Sequence, residues 1–245
     1  MGGTMKVLVT SDTHYGFSDK TGGRLHKLCN NMKAEQPDVV VHAGDWASHK
    51  QSQFYSAMKM FRDSFDCPIV AVRGNHDFWQ HEIIKKPIEE IENQHQAWFT
   101  ELDIHHVSRG LLCLKDWVFG GFDGWYHETN PPTNDEQFMP KNTIPSAHEY
   151  LNQKAHKDLY NLIDDLDQCG KSKIILASHF PTYSHDPKYL SFCANPKYHD
   201  ILTGYCDYLV FGHSHRRENL RDGRANIINA GSDYNNPRYI MLEVD

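Results

Sequence analysis

Five short polar blocks carry the chemistry in this sequence: Asp12-x-His14, Gly44-Asp45, Gly74-Asn75-His76-Asp77, His179 and Gly212-His213-x-His215. They supply carboxylate, amide and imidazole groups and no thiolate. Such a donor set suits borderline divalent ions such as Mn²⁺, Fe²⁺ or Zn²⁺. With His76 set aside, Asp12, His14, Asp45, Asn75, His179, His213 and His215 are seven candidate ligands. That is more than one tetrahedral site can use. It is enough for two ions that share a carboxylate and keep positions open for water and substrate. Two ions about 3.5–4 Å apart form a template for in-line displacement at phosphorus. Taken singly, each block has a bland reading. Gly44 and Gly74 could be turn residues chosen for positive φ, and Asp12 and His14 an ordinary polar turn. His213 and His215, two apart, would point the same way on an extended segment. Five polar blocks after five buried strands leave coincidence a poor account of them together.

Short apolar runs must position these blocks. Residues 6–10, 38–42, 69–72, 173–177 and 208–211 read as buried strands, each ending in one of the five blocks. Leu25, Leu28 and Met32 mark a helix over 24–35, and Phe54, Met58, Phe61 and Phe65 another over 53–65. The opening is therefore βαβαβ, with parallel strands and right-handed crossovers. In open α/β sheets the ligand crevice lies outside the carboxyl ends of the strands, so the polar blocks should converge there. Further helices are predicted over 83–98 and 148–167, and short strands over 104–107, 111–114 and 117–122. Asp222-Gly223 predicts a hairpin between 218–221 and 225–230, and 238–244 closes the chain as a strand. The expected fold is α/β, one domain over 1–245, with two packed sheets and helices outside. Two long connections, 124–146 (Pro131, Pro132, Pro140, Pro145) and 181–198 (Tyr183, His185, Lys188, Tyr189), are placed to set substrate choice. Trp46 and Tyr183 are the candidate substrate contacts.

Composition narrows the function classes. The 245 residues are 39% hydrophobic, ordinary for a globular protein, and carry a net charge of −7. A general polyanion binder usually has a basic excess, so a small phosphoester or nucleotide is favoured over nucleic acid. No apolar run approaches the ~20 residues of a membrane span. The apolar run at residues 7–9 is too short for a signal-peptide core, and Lys6 breaks the myristoylation pattern. The six cysteines contain no Cys-x-x-Cys, which points to a reducing, cytoplasmic setting. With 17 histidines, one alone means little. His42 reads as a satisfied buried residue, and His105, His106, His148 and His156 as surface or packing. Arg216, Arg217, Arg221 and Arg224 could bind a second phosphate or a polynucleotide, but read first as a solvated hairpin face.

The five blocks in this order resemble the calcineurin-like metallophosphoesterases, and the resemblance runs from about Lys6 to Val244. It implies a two-sheet β-sandwich flanked by helices, with a dinuclear centre at one edge. It implies that Asp12, His14, Asp45 and His215 bind one ion, and that Asp45, Asn75, His179 and His213 bind the other. Asp45 would be the bridge. Manganese is the first choice of ion, with Fe, Zn or Ni as alternatives. His76 would protonate the leaving oxygen or offset its charge. In many relatives an Asp three residues beyond the bridging Asp orients this histidine. Here the position holds Ser48, which can accept a hydrogen bond but supplies no charge. That departure, with the lack of an Asp-Arg-Gly after Gly44-Asp45, turns the comparison away from phosphoprotein phosphatases and towards single-domain phosphodiesterase-like members. The expected activity is hydrolysis of a phosphodiester or small phosphomonoester by metal-activated water. The alternatives are a repair-type nuclease, opposed by the acidic balance, and a non-catalytic scaffold on the same fold, opposed by His76 and the full ligand set.

Overall fold

Apolar alternation decides the layers. In the computed structural model, which describes residues 4–17, 22–80, 85–127, 138–140, 146–170, 173–183 and 193–245, all five expected runs are strands. β1 (Met5–Thr10), β2 (Val39–Ala43) and β3 (Ile69–Val72) are parallel and joined by helices α1 (Gly23–Ala34) and α2 (Gln51–Ser64). With β4 (His105–His106) and β11 (Tyr239–Val244) they form a sheet of order β11-β1-β2-β3-β4, in which β11 is antiparallel. The second sheet comprises β5 (Leu112–Leu114), β6 (Trp117–Gly121), β7 (Lys173–Ala177), β8 (Tyr208–Phe211), β9 (Arg217–Asp222) and β10 (Ala225–Ala230). Its order is β5-β6-β7-β8-β10-β9, with β6, β7, β8 and β10 parallel.

Alternate residues of one strand serve two cores. Val7, Val9, Val39 and Val41 meet Phe119, Ile175, Val210 and Ile228 between the sheets. Leu8 and Val40 point outward, where Leu25, Phe54 and Phe61 of α1 and α2 cover them. On the far side, Ile174, Leu176 and Leu209 are covered by Leu159 and Leu162 of α5 (Ala147–Cys169) and Leu202 of α6 (Lys197–Tyr205). The result is the expected helix-sheet-sheet-helix sandwich, a single domain.

Several elements differ from expectation. The helix predicted over 83–98 is α4 (Ile88–Glu101), because Pro87 occupies its N-cap at φ −59° and cannot donate inside a helix. Residues 83 and 84 lie outside the described residues. α5 starts one residue early, where Ser146 caps the Glu149 N–H at 3.2 Å. The connection after β7 ends in α6, and Gly74-Asn75-His76-Asp77 opens a short helix, α3 (Asn75–Phe78). α3 is too short to show an apolar period, whereas α6 carries Tyr198, Ile201, Leu202 and Tyr205 at helical spacing, a signal that went unread. Pro131, Pro132, Pro145, His185, Lys188 and Tyr189, expected on substrate-facing loops, lie outside the described residues.

One buried ionic cluster ties the sheets together just behind the strand ends. Asp123, following β6, accepts from the Arg73 backbone N–H (2.7 Å), Arg73 Nε (2.9 Å) and Arg73 Nη2 (2.6 Å). His106 Nε2 lies 2.8 Å from the same carboxylate, and Glu92 approaches Arg73 at 3.2 Å. The Asp123 carbonyl also accepts the His179 N–H at 3.1 Å. Burial opposes ionisation of Asp123, but the Arg73 charge holds its carboxyl well below the usual range. A depressed carboxyl stabilises the fold above its unfolded value, and that stability is lost as pH falls through the folded one. Asp123→Ala would remove the main carboxylate partner of the buried Arg73 guanidinium and leave Glu92, so urea unfolding near neutral pH is expected to show a loss of about 3 kcal/mol. The variant should also lose part of the wild-type fall in stability in acid.

Candidate metal centre

The strand ends bring the predicted residues to one edge of the sandwich. The turn after β1 pairs with the turn after β2: Asp12 N–H donates to Gly44 O (2.9 Å), and His14 N–H to Asp45 O (3.1 Å). Asp12 then reaches the turn after β8, where its carboxylate accepts the His213 N–H at 2.9 and 3.1 Å. His215 Nε2 stands 3.4 Å from Asp12 Oδ1 and 3.2 Å from His14 Nε2. Asp45 Oδ2 lies 3.7 Å from His14 Nε2 and 3.4 Å from His179 Nε2. Ligand atoms of Asp12, His14 and His215 lie within 4.8 Å of one another, as do those of Asp45, His179 and His213. A third such group, His14, Asp45 and His76, joins the two. Asn75, 3% exposed, is the first residue of α3, whose His76 N–H donates to Asp45 Oδ1 at 3.0 Å.

Strain shows how tightly this edge is held. Asp12, His14, Asp45, His213 and His215 all have left-handed backbones, with φ of 50°, 43°, 56°, 62° and 54°. For residues with a Cβ this costs roughly 1–2 kcal/mol each, and the fold supports it only because the turns are pinned by hydrogen bonds. The two glycines differ in role. Gly44 has a positive φ of 85°, as expected. Gly74 does not: it is extended, and a Cβ there would collide with the Asp45 carboxylate. The segment carrying His213 and His215 is not extended, so the shared direction expected of an extended turn does not arise. Both are left-handed around Ser214, so His213 joins Asp45 and His179 while His215 joins Asp12 and His14.

The donor set fits divalent ions. Ligands held at about 2.0–2.2 Å by one ion stand about 3.0–3.5 Å apart; three of the four spacings above match, and His14–Asp45 is longer at 3.7 Å. His179 Nδ1 donates to Ala43 O at 2.8 Å, which leaves Nε2 as a bare donor aimed into the site. Burial, then the neighbouring His76, keeps His14 well below its ordinary pKa; burial, then His179, does the same for His213. Both are thus in the neutral, ligating form. Burial opposes ionisation of Asp45, but His179, His76 and His14 hold its carboxyl well below the usual range. For His179, burial is overcome by the Asp45 carboxylate, which raises it to about 9. A proton and an ion therefore compete for its Nε2.

His76 is 7% exposed and its ring packs 3.6 Å from that of Trp79. Its Nδ1 lies 3.1 Å from the backbone carbonyl of Ser48. A carbonyl only accepts, so Nδ1 carries the proton. The expected role of Ser48 is corrected here: its hydroxyl donates to His14 O (3.1 Å), and its carbonyl does the orienting. Trp46 is corrected too. It is fully buried, stacked at 3.6 Å on His42 and bonded through Nε1 to Val72 O, so it belongs to the core and not the cleft. Tyr183 is 45% exposed and packs 5.4 Å from His199. His42 is buried and bonded to Thr13, and His106 is in the Asp123 cluster, in line with their bland readings.

Three residues went unread in the sequence. Asp77 accepts the N–H groups of Asp45, Trp46, Ala47 and Gly74, fixing the bridging turn against α3. Asn229, fully buried, donates to Gly212 O and Ser214 Oγ and so props the His213–His215 turn. Tyr234 stacks 4.1 Å from the His14 ring and places its hydroxyl 3.4 Å from His76 Nε2. It follows β10, which runs parallel to β8. The rule that placed the other blocks at carboxyl ends therefore applied to Tyr234 as well, but it carries no motif.

Comparison with known proteins agrees with this geometry. A phosphopantetheinyl hydrolase from Mycobacterium tuberculosis superposes with a TM-score of 0.71 at 17% identity, covering 96% of this chain and 91% of that one. A dimetal phosphatase from Danio rerio gives 0.62 at 13% identity, covering 93% and 87%. TT1561 of Thermus thermophilus gives 0.61 at 12%, covering 99% and 100%. At these identities the likeness is one of fold. No curated protein matches the sequence significantly. The profile of the calcineurin-like phosphoesterases, however, matches residues 5–217, most of the chain. With that match and the clustered strand-end ligands, the chain belongs to the calcineurin-like phosphoesterase family and is a metal-dependent phosphoric ester hydrolase.

Proposed function

We propose that this protein hydrolyses a small phosphomonoester or phosphodiester with two divalent ions. Asp12, His14, Asp45 and His215 would hold one ion, and Asp45, Asn75, His179 and His213 the other. The observation that carries this reading is the pair of ligand groups meeting at Asp45. The ions, when bound, would supply Lewis acidity to the phosphoryl oxygens and to the attacking water. Manganese is the proposed ion, since oxygen and imidazole donors without thiolate favour it over softer choices. A small substrate is in keeping with the phosphopantetheinyl hydrolase and the dimetal phosphatase that share the fold. The six cysteines are all unpaired, which supports a cytoplasmic setting.

The chain's own residues divide the remaining work. Asp45 anchors α3 through the His76 N–H and so sets the distance between the ligands and His76. Ser48 O holds the His76 Nδ1 proton, which makes Nε2 the atom where a proton is taken up and delivered to the leaving oxygen. Trp79 and the ring of His14 pack against His76 and limit its rotation. Tyr234 covers His14 from the solvent side and can donate to His76 Nε2 while that nitrogen is unprotonated.

Chelation is expected to abolish hydrolysis of p-nitrophenyl phosphate or its bis-ester, and added Mn²⁺ to restore it. Full activity of the chelated protein would sink the proposal. Asp45→Asn should lower both the bound metal, read by elemental analysis, and the turnover. His76→Ala should leave the metal content unchanged and lower kcat by about 10²–10⁴ for an alkyl leaving group. The loss should be much smaller for p-nitrophenolate, which leaves without a proton. An equal loss for both leaving groups would remove His76 from the proton-transfer role.

A further inference from the structure

A groove of about 530 Å³ is lined by Arg24, Lys27, Asn31, Arg217, Asn235 and Arg238, among others, with no acidic residue among the described lining residues. In a chain of net charge −7, four cations around one space are a marked exception. The sequence grouped Arg217 with Arg216, Arg221 and Arg224 as a solvated face. The structure splits that group: Arg224 pairs with Asp207 at 3.0 Å and Arg221 Nε donates to Gly223 O, whereas Arg217 turns into the groove. Two walls of the groove are continuous with the metal centre. Arg217 is two residues beyond His215, a separation of roughly 7 Å at most. Asn235 directly follows Tyr234, which stacks on His14. Arg24 Nη1 donates to Asn235 Oδ1 at 3.1 Å and holds this turn in place.

We propose that the groove binds a second phosphate of the substrate, so that the natural substrate is a small bis-phosphorylated molecule of the nucleoside-bisphosphate type. This rests on the reading of the neighbouring cluster as the hydrolytic centre. Several cations facing one space repel each other until an anion enters, and guanidinium forks match phosphate oxygens in shape as well as charge. The volume is in the range of small-molecule pockets and larger than one inorganic ion needs. Four cations in an acidic protein make too short a track for a polynucleotide, which usually meets a basic stripe. One phosphate would occupy the metal centre, the organic body would lie across Tyr234, and the other phosphate would lie among Lys27, Arg217 and Arg238.

The test compares adenosine 3′,5′-bisphosphate with adenosine 5′-monophosphate on the Mn²⁺-loaded protein. The wild type is expected to prefer the bisphosphate by about tenfold or more in kcat/KM, through KM. The triple variant K27Q/R217Q/R238Q should lose that preference while its rate on the monophosphate and on p-nitrophenyl phosphate stays within about twofold. Calorimetric titration of the bisphosphate reads the groove apart from catalysis. Equal affinity in wild type and triple variant overturns the proposal, whether or not anything is hydrolysed. Tight, groove-dependent binding by a wild type that hydrolyses no phosphoester would instead remove only the hydrolytic reading. Should the triple variant unfold, the single variants R217Q and R238Q and the salt dependence of wild-type binding decide. Bisphosphate affinity that is unmoved by salt and by both substitutions overturns the proposal. A single-stranded oligonucleotide that binds more tightly than the bisphosphate, with a steep salt slope lost in the triple variant, would reassign the groove to nucleic acid.

Discussion

The carboxylate of Asp45 is the group on which this edge of the molecule depends. One oxygen accepts the His76 N–H, and the other stands between His14 and His179. It therefore groups with His179 and His213, reaches His14 of the other cluster, and holds the start of α3. The residue is 1% exposed, and burial alone would favour its neutral form. The imidazoles around it reverse that preference and keep a negative charge where water is scarce. A buried carboxylate ringed by imidazole nitrogens is a poor structural device but a good cation trap. The left-handed backbones of five candidate ligand residues point the same way, since strain of this kind persists only where the surroundings impose it.

Support for this carboxylate comes from groups that are not ligands. Asp77 gathers four backbone N–H groups and locks the turn bearing Asp45 to the one bearing His76. Gly74 lets that turn approach at a distance no Cβ would allow. Asn229 braces the turn bearing His213 and His215 from the next strand. Further back, the Asp123 carboxylate holds Arg73 while its carbonyl holds the His179 N–H. The two sheets thus meet at the site through polar contacts, while Val, Ile and Phe side chains join them elsewhere.

The same edge carries the features that face a substrate. The segment between β10 and β11 carries Tyr234 and one wall of the basic groove, with Arg217 of β9 and Arg24 and Lys27 of α1 alongside. This segment runs from the ring over His14 to the cations beyond it. On the proposed reading, the inner part would meet the reacting phosphoester and the outer part its remaining charge. Ser48 adds a related departure: a neutral carbonyl orients His76 where many relatives place a carboxylate. His76 is therefore fixed in tautomer by a neutral acceptor, which leaves Nε2 for the proton delivery proposed above.

The sequence by itself determined which donors were available and where each would emerge. A β-strand between two layers must be apolar along its length, so the first polar residues after it are those the fold places at its end. That rule located Asp12, Asp45, Asn75, His179 and His213, and the order of the blocks indicated the family. Only the tertiary structure decided which donors meet. Asp12 and His213 are 201 residues apart in sequence, and their pairing follows from how the sheets stack, which no local pattern encodes. It also separated His213 from His215 through left-handed turns, took Trp46 into the core, and substituted a carbonyl for the side chain of Ser48. The groove beside Tyr234 shows the same division. Its cations come from α1, β9 and the turn before β11, and their charges add only because packing brings those three segments to one surface.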